Sequence, residues 1–465
     1  MNENTQNFAL DRRSFVLAAG ASAISVAGSP LKMAFAGGNK DLLWAGLNFM
    51  RACPVGPKGV ECSRLDETFP NIIPILNDQK KAQKLYNTLP GKWGAPVGVQ
   101  KGYRLIWPTM ENTEVGETDL GVFIGITSDR DIANKYYPKY DTTVLVYELQ
   151  TYLFVFDVEN FEIIQSHPMR IWSYDIEKGE KKGESKALSL QSKMWRSLGG
   201  TKAPSGTGKY LPELIQNRLK KVDFSNMERV NLRVTDVSAK AFSQKWVKKQ
   251  GKEVSDFQAI LGNSLTNAVS ENMGIGIQPY SSARALAQLT NTFAAVSEKS
   301  ALLHAKLLNT APIELDLRIV SRGMRVTEKK VEGYEKVFDR RTLISVFLEA
   351  GRWKRTYGDE QRLIVESEEL ETLVFRQKLN AIAIERTTGT WSNDWFWVLD
   401  LHQRLFDWFF AELFKGNNYS GMARGKQEAH KSRKFLTRVV AKEFGAFEKE
   451  AKALRAVLLK KTAQG

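Results

Sequence analysis

Residues 143–166 read TVLVYELQTYLFVFDVENFEIIQS, and this stretch decides the fold class. It is dense in Val, Leu, Tyr and Phe, which favour β-strands, and residues 143–157 are too many for one strand without a bend. The runs 152–156 and 161–166 flank the turn residues DVEN, a spacing typical of a β-hairpin. Residues 169–174 continue the pattern, so we predict an antiparallel β-meander.

The residues before the meander predict helices. Residues 40–50 carry Leu42, Leu43 and Leu47 at positions that suit a helix. Residues 75–89 form a second helical stretch after Pro74, because proline is tolerated in the first turn of a helix. We therefore expect a helical segment on the amino-terminal side of the sheet.

Strands and helices alternate after the meander. Residues 231–237 predict a strand, residues 256–271 an amphipathic helix with Ser255 as N-cap, and residues 274–278 (GIGIQ) a buried strand. Residues 283–308 predict a further helix. Additional strands are predicted at 313–319, 343–348, 363–366 and 372–376.

The order strand, helix, strand over residues 231–278 resembles the amino-terminal half of TolB and its relatives among envelope secretion proteins. The resemblance is one of pattern and covers this segment alone. It implies an accessory protein of the bacterial envelope.

The carboxyl-terminal part predicts helices of two kinds. Residues 391–414 concentrate Trp and Phe but are interrupted by charged residues, which argues against a membrane span. After a loop at 416–425, the last helix carries one apolar seam, formed by Leu436, Val440, Phe444, Phe447, Ala451, Leu454 and Leu458.

The fold class that these elements predict is α+β (mixed α/β). It combines an antiparallel β-meander with flanking helices, a second mixed domain with a strand–helix–strand unit, and a helical C-terminus. The charged stretch EKGEKKGESK marks a boundary. The expected parts are a signal peptide (1–36), an amino-terminal α+β domain (37–175), a linker or exposed loop (176–210), a mixed α/β domain (211–380), and aromatic-rich and basic amphipathic helices (381–465).

The chain is basic, and the excess charge is concentrated near its end. Its 465 residues include 67 Lys and Arg against 52 Asp and Glu, a net charge of +15. Residues 415–465 hold thirteen of the basic residues and four Glu, which is +9. We predict a solvated basic helix that docks on the protein's own body, on an envelope protein or second subunit, or on an anionic membrane surface.

The first residues predict export from the cytoplasm. The motif DRRSF at 11–15, followed by an Ala- and Gly-rich apolar stretch, resembles a twin-arginine signal, which implies recognition of Arg12, Arg13 and Phe15 by the export translocase. Such signals resemble those of proteins that are exported already folded. The apolar run is too short to predict a membrane span.

A cleavage site follows the apolar stretch. Ala34-Phe35-Ala36 has the A-x-A pattern of a signal-peptidase site. We therefore expect cleavage near Ala36 and a mature protein in the periplasm of a Gram-negative bacterium. An uncleaved anchor is the alternative.

The two cysteines fit that compartment. Cys53 and Cys62 bracket a turn-rich loop, and in the oxidising periplasm this spacing predicts a disulfide. A metal pair would need a shorter C-x-x-C spacing or a nearby His, and neither is present.

Two glycine-rich motifs resemble nucleotide-binding loops. APSGTGK at 203–209 ends in Lys209, but Tyr210 stands where a P-loop needs Ser or Thr for Mg²⁺. The GxG at 274–276 lacks the third glycine of a dinucleotide fingerprint and follows a helix. We interpret the first as a surface loop and the second as close packing of a strand, so no cofactor is predicted.

The four histidines, His167, His304, His402 and His430, match no local metal-binding motif. We expect neither a metal site nor a catalytic residue from this pattern, and we expect His402 to lie in a helix-packing site.

The acidic residues of the aromatic helix allow a different interpretation. Asp394, Asp400 and Asp407 lie among tryptophans, and aromatic platforms with paired carboxylates are typical of sugar-cleaving sites. A packed aromatic helix with solvated charges is the interpretation we favour. Stacked bases would also suit aromatic side chains, but the export signal argues against nucleic acid.

Two functions remain open. The first is a non-catalytic periplasmic protein, an envelope accessory or binding and assembly factor, and the absence of catalytic motifs favours it. The second is an exported enzyme, a hydrolase or cofactor-dependent protein, whose site is assembled from residues distant in sequence.

Overall fold

The computed structural model describes residues 40–49, 55–56, 59–60, 69–78, 80–81, 84–85, 98–99, 103–106, 120–157, 162–199, 210–222, 224, 232–277, 280, 315–331, 337–357, 363–387, 394–430 and 433–463. The predicted signal peptide, Cys53, Cys62, His304 and the segments 203–209 and 283–308 lie outside them.

The first sheet is built around the predicted meander. Its strands are β1 (Lys40–Phe49), β4 (Gly98–Val99), β5 (Tyr103–Ile106), β6 (Leu120–Tyr137), β7 (Thr142–Asp157) and β8 (Glu162–Lys178), in the order β4-β5-β1-β6-β7-β8. Strand β1 is parallel to β5 and β6, and β6, β7 and β8 are antiparallel. A separate ribbon pairs β2 (Val55–Gly56) with β3 (Gly59–Val60).

The second sheet also combines parallel and antiparallel pairs. Its strands are β9 (Leu232–Ala239), β10 (Leu315–Val331), β11 (Val337–Tyr357), β12 (Leu363–Thr387), β13 (Lys426–His430) and β14 (Arg433–Val440), in the order β13-β14-β12-β11-β10-β9. Strand β9 is parallel to β10, and the other neighbours are antiparallel.

The described helices are α1 (Ile73–Leu76), α2 (Gly183–Leu198), α3 (Leu211–Leu219), α4 (Ala241–Lys249), α5 (Val254–Met273), α6 (Asp394–Lys415), α7 (Tyr419–Arg424) and α8 (Phe444–Ala463). Within the described part of the chain, none of them is long and apolar enough to cross a membrane. The fold is therefore α+β, as the sequence predicts.

Several predicted elements differ from the structure in type or extent. Residues 40–49 form strand β1, not a helix, because Leu42 and Trp44 are fully buried in a strand paired on both sides. Residues 143–157 belong to one continuous strand, and the register shifts lie in its partners. Residues 363–376 belong to the single strand β12.

Residues 274–277 are a loop, not a strand. Gly274 ends α5 in the left-handed conformation with φ +70°, which glycine adopts without strain. The first glycine of the GxG motif therefore ends a helix. The predicted role, close packing of a strand, is wrong for this residue. The predicted N-cap Ser255 lies inside α5, whose N-cap is Glu253.

The basic carboxyl-terminal segment is not one helix. Residues 433–440 form β14, which pairs with β12, and residues 419–424 of the predicted loop form α7. The rest of the predicted seam lies on α8, where it is buried within the chain's own core through Phe447, Ala451, Leu454 and Leu458.

The elements stack in four layers. Helices α2 and α3 cover one face of the first sheet, where Leu190, Met194 and Ile215 pack on Leu145 and Leu153. Helices α5 and α6 lie between the two sheets. Their side chains share one core with both sheets, including Val144, Val146, Phe257, Leu261, Leu317, Ile319, Phe375, Phe406 and Phe409.

The two halves of the chain repeat one order of elements. In each half a strand (β1 or β9) pairs with a later parallel strand (β6 or β10), and two antiparallel strands and a helix (α2 or α6) follow. Residues 183–198, inside the predicted linker, form the closing helix of the first half. In each half the helices lie on one face of the sheet. The other face of the first sheet is covered by the helices of the second half.

Candidate interaction surface

A buried ion pair lies where the first sheet meets the helices of the second half. Arg170 on β8 binds the carboxylate of Glu148 on β7, and Glu148 is completely buried. The guanidinium also donates through Nη1 to Ser264 Oγ on α5 (3.1 Å) and to Gln403 Oε1 on α6 (2.8 Å). It lies 4.0 Å from the centre of the Trp172 ring. This cluster therefore joins a strand pair of one half to two helices of the other.

Further hydrogen bonds cross the same boundary. Arg218 on α3 donates to the carbonyl oxygens of Pro168 and Ser270, each at 2.9 Å. Asn267 Nδ2 on α5 donates to Gln150 Oε1 at 3.0 Å. These contacts satisfy polar groups in an otherwise apolar layer and fix how the halves meet.

His402 and His167 are buried. Burial lowers the pKa of His402 on α6 to about 4 and that of His167 on β8 to about 3, with Arg218 adding to the second shift. His402 Nδ1 lies 2.7 Å from the carbonyl oxygen of Val398, within a helix-packing site as predicted. His430 belongs to β13. Among the described residues no group of His, Cys, Asp and Glu could hold a metal ion.

The three aspartates of the aromatic helix do not form one site. Asp400 pairs with Arg404 at 2.8 Å, and Asp407 accepts a hydrogen bond from Gln403 at 2.9 Å. Asp394 lies in the first turn of α6 and lines a small cleft with Trp397 and Glu385.

A larger feature is the outer face of the second sheet, the face that points away from α5 and α6. Its side chains alternate with the buried ones along the strands. A cross-strand row joins Val320, Phe347, Lys378 and Val440, and Leu343 is 38% exposed. At the sheet edge Phe242 of α4, 79% exposed, lies beside Gly323.

The outer face is strongly basic. Its described acidic residues are Asp236, Asp316 and Glu349, which pair with Arg318, Arg233 and Arg376. Its basic residues number nine, so the net charge of the described face is +6: Arg233, Arg318, Arg322, Arg325, Arg341, Arg376, Lys378, Lys434 and Arg438.

The centre of the outer face repeats the buried cluster of the first sheet. Arg376 Nε on β12 lies 3.0 Å from Glu349 Oε1 on β11, as Arg170 on β8 pairs with Glu148 on β7. The guanidinium groups of Arg322 and Arg376 lie 4.8 and 5.5 Å from the Phe347 ring centre. In the first sheet this arrangement is buried under two helices, whereas here the Arg376 side chain is 56% exposed.

Sequence reasoning did not single out this surface, although one signal was present. The alternation at 313–319 places Arg318 outward, and the same period carried along β10 and β11 reaches Val320, Leu343 and Phe347. Apolar residues at outward positions beside arginines are typical of a binding surface.

Comparison with known proteins gives a structural similarity but no match by sequence. No family model and no curated protein sequence matches the chain. A crystal structure of a putative neuraminyllactose-binding hemagglutinin homolog from Helicobacter pylori is similar, with a TM-score of 0.21 and 10% sequence identity. The match covers 42% of this chain and 95% of the other.

Proposed function

We propose that this protein is a non-catalytic binding or assembly factor of the bacterial envelope, exported by the twin-arginine route to the periplasm. It binds its partner with the outer face of the second sheet. The observation that carries the proposal is the exposure of Leu343 and Arg376 on this face, whereas the Glu148–Arg170 counterpart in the first sheet is buried. The export motif at 11–15 supports the location.

The binding role is tested by site-specific photocrosslinking in the living cell. A benzophenone amino acid replaces Leu343 on the outer face or, as a matched control, Leu188 on α2, which is 58% exposed on the opposite side of the stack. We expect a light-dependent adduct of higher mass from position 343 and none from 188. Absence of any adduct at 343 would reject the binding role.

The location is tested separately. Replacing Arg12 and Arg13 by lysine is expected to leave the protein in the cytoplasm, because the translocase reads the paired arginines. Cell fractionation with antibody detection measures this. Unchanged fractionation of the double variant would reject twin-arginine export without bearing on the binding surface.

The second candidate is an exported hydrolase, and one feature favours it. The cleft beside Trp397 holds two carboxylates, Glu385 and Asp394, the residue types that act as acid and base in sugar cleavage. Purified wild-type protein and the Glu385→Gln variant are compared on chromogenic glycosides. Turnover by the wild type that the variant loses would establish this alternative.

A further inference from the structure

We infer that the occupant of the outer face is an acidic, helical surface of another protein, an inference that rests on the proposed binding function. The packing of helices on the first sheet within this chain is an example of such an interaction. Helices α5 and α6 cover the equivalent face of the first sheet and bring a hydroxyl (Ser264) and an amide (Gln403) to the Arg170 guanidinium.

The outer face carries the same kinds of groups as the Arg170–Glu148 cluster. Arg376 and Glu349 form its central pair, with the Phe347 ring beside them. A helix that packs on a sheet buries its apolar stripe against the apolar side chains of that sheet, which suits the neighbouring residues Val320 and Phe347. Hydroxyl and amide groups on such a helix would hydrogen-bond to Arg376, as Ser264 and Gln403 do to Arg170.

Charge distinguishes the foreign partner from a second copy of this chain. A second copy could continue the stack only with its own helical layer, α2 and α3. Apart from the buried Arg218, α2 and α3 carry two acidic and three basic residues, Glu184, Glu213, Lys186, Lys193 and Arg196, and Lys220 and Lys221 follow α3. Lys186 pairs with Asp131, and Lys193 pairs with Asp175 and Glu177, so this layer is close to neutral. It offers no net negative charge to the +6 face, whereas an acidic rim complements that face.

The experiment identifies what the benzophenone at position 343 captures. The full chain is expressed in its own bacterium, and the adduct is excised and sequenced by mass spectrometry. We expect a second protein, linked within an amphipathic helix whose flanking residues are mainly Asp and Glu.

Charge reversal supplies the second measurement. The double variant Arg322→Glu, Lys378→Glu is expected to reduce the adduct at least tenfold, because it places acids opposite the acidic rim. The matched control is Arg196→Glu on α2, which is expected to leave the yield unchanged. Circular dichroism melting curves for each variant separate loss of binding from loss of folding.

Other outcomes overturn the inference while leaving the binding function intact. These are an adduct between two copies of this chain, an adduct of lipid mass together with sedimentation on phosphatidylglycerol vesicles, or capture of a protein at a basic or extended segment. An adduct that charge reversal does not reduce also overturns it. No adduct at all rejects the proposed function itself.

Discussion

Arg170 Nη1 donates to Gln403 Oε1 at 2.8 Å, across 233 positions of the chain. The bond joins the last strand of the first meander to the helix that follows the second meander. Because Arg170 also neutralises the buried carboxylate of Glu148, one guanidinium serves both the first sheet and the boundary between the halves.

Removing this guanidinium is expected to destabilise the folded protein. Arg170→Met leaves Glu148 buried without its counter-charge, so the free energy of unfolding should fall by about 3–5 kcal/mol. Urea denaturation measures this. The double variant Arg170→Met, Glu148→Leu should recover most of the loss, since neither charge then remains.

The control for this change is an exposed ion pair. Lys182→Ala removes the partner of Glu180, and the Lys182 side chain is 78% exposed. We expect a change below about 1 kcal/mol. Equal losses in Arg170→Met and Lys182→Ala would contradict the role assigned to the buried pair.

Replacing two helical glycines by alanine, one at a time, should change the free energy of unfolding in opposite directions. A Cβ on Gly262 in α5 would lie 2.4 Å from Cγ of Tyr280, whereas Gly445 in α8 has nothing within 4 Å. Gly262→Ala should lower the free energy of unfolding by about 1 kcal/mol or more through overpacking. Gly445→Ala should raise it by up to about 1 kcal/mol, because alanine favours helix. Chemical denaturation of both variants distinguishes the two, and equal stability would refute the close packing.

The buried histidines predict a pH dependence of stability. His402 has a folded-state pKa of about 4 against 6.5 in the unfolded chain, so below pH 6.5 the unfolded state binds the extra proton. Its contribution is complete above pH 6.5 and is lost as the pH falls towards 4. The slope is about 1.4 kcal/mol per pH unit for each such histidine.

His402→Gln is the variant that checks this slope. It should lower stability at pH 7 but flatten the decline between pH 6 and 4.5, and adding His167→Gln should flatten it further. Thermal melts over this range measure the effect. A slope that neither substitution alters would show that other groups control the acid response.

The cysteines stay a prediction, because Cys53 and Cys62 lie outside the described residues. Their spacing in the sequence and the oxidising compartment that the export signal predicts favour a disulfide. We expect both thiols of periplasmic protein to resist alkylation until a reductant is added, as mass spectrometry would show. Alkylation without reduction would exclude the bond.

Much of the fold was predictable where local pattern and environment agree. Strand β9 and helix α5 match their predicted ranges within two residues, because each has the period of its own secondary structure. The hairpin between β7 and β8 was predictable from two apolar runs with a short connection.

The errors have a common physical cause. Strand β1 is paired on both sides and carries an uninterrupted apolar run at residues 42–47, so it lacks the alternation that marks a half-buried strand. Strand β14 has Leu436 and Val440 four residues apart, which suits a helix, but pairing with β12 fixes it as a strand. Such pairing between distant segments leaves no local signal.

The candidate surface was harder to foresee than the strands that carry it. Alternation shows which residues share a face, but only the packing shows which face the helices cover. The Glu148–Arg170 cluster likewise depends on Ser264 and Gln403, which no local motif connects.

The inner face of the first sheet is covered by α5 and α6, so its cover is complete only after Lys415, the last residue of α6, has left the ribosome. The amino-terminal half therefore emerges with an apolar sheet surface that cannot mature on its own. Chains truncated before α6 would leave part of this apolar surface open to water and to aggregation.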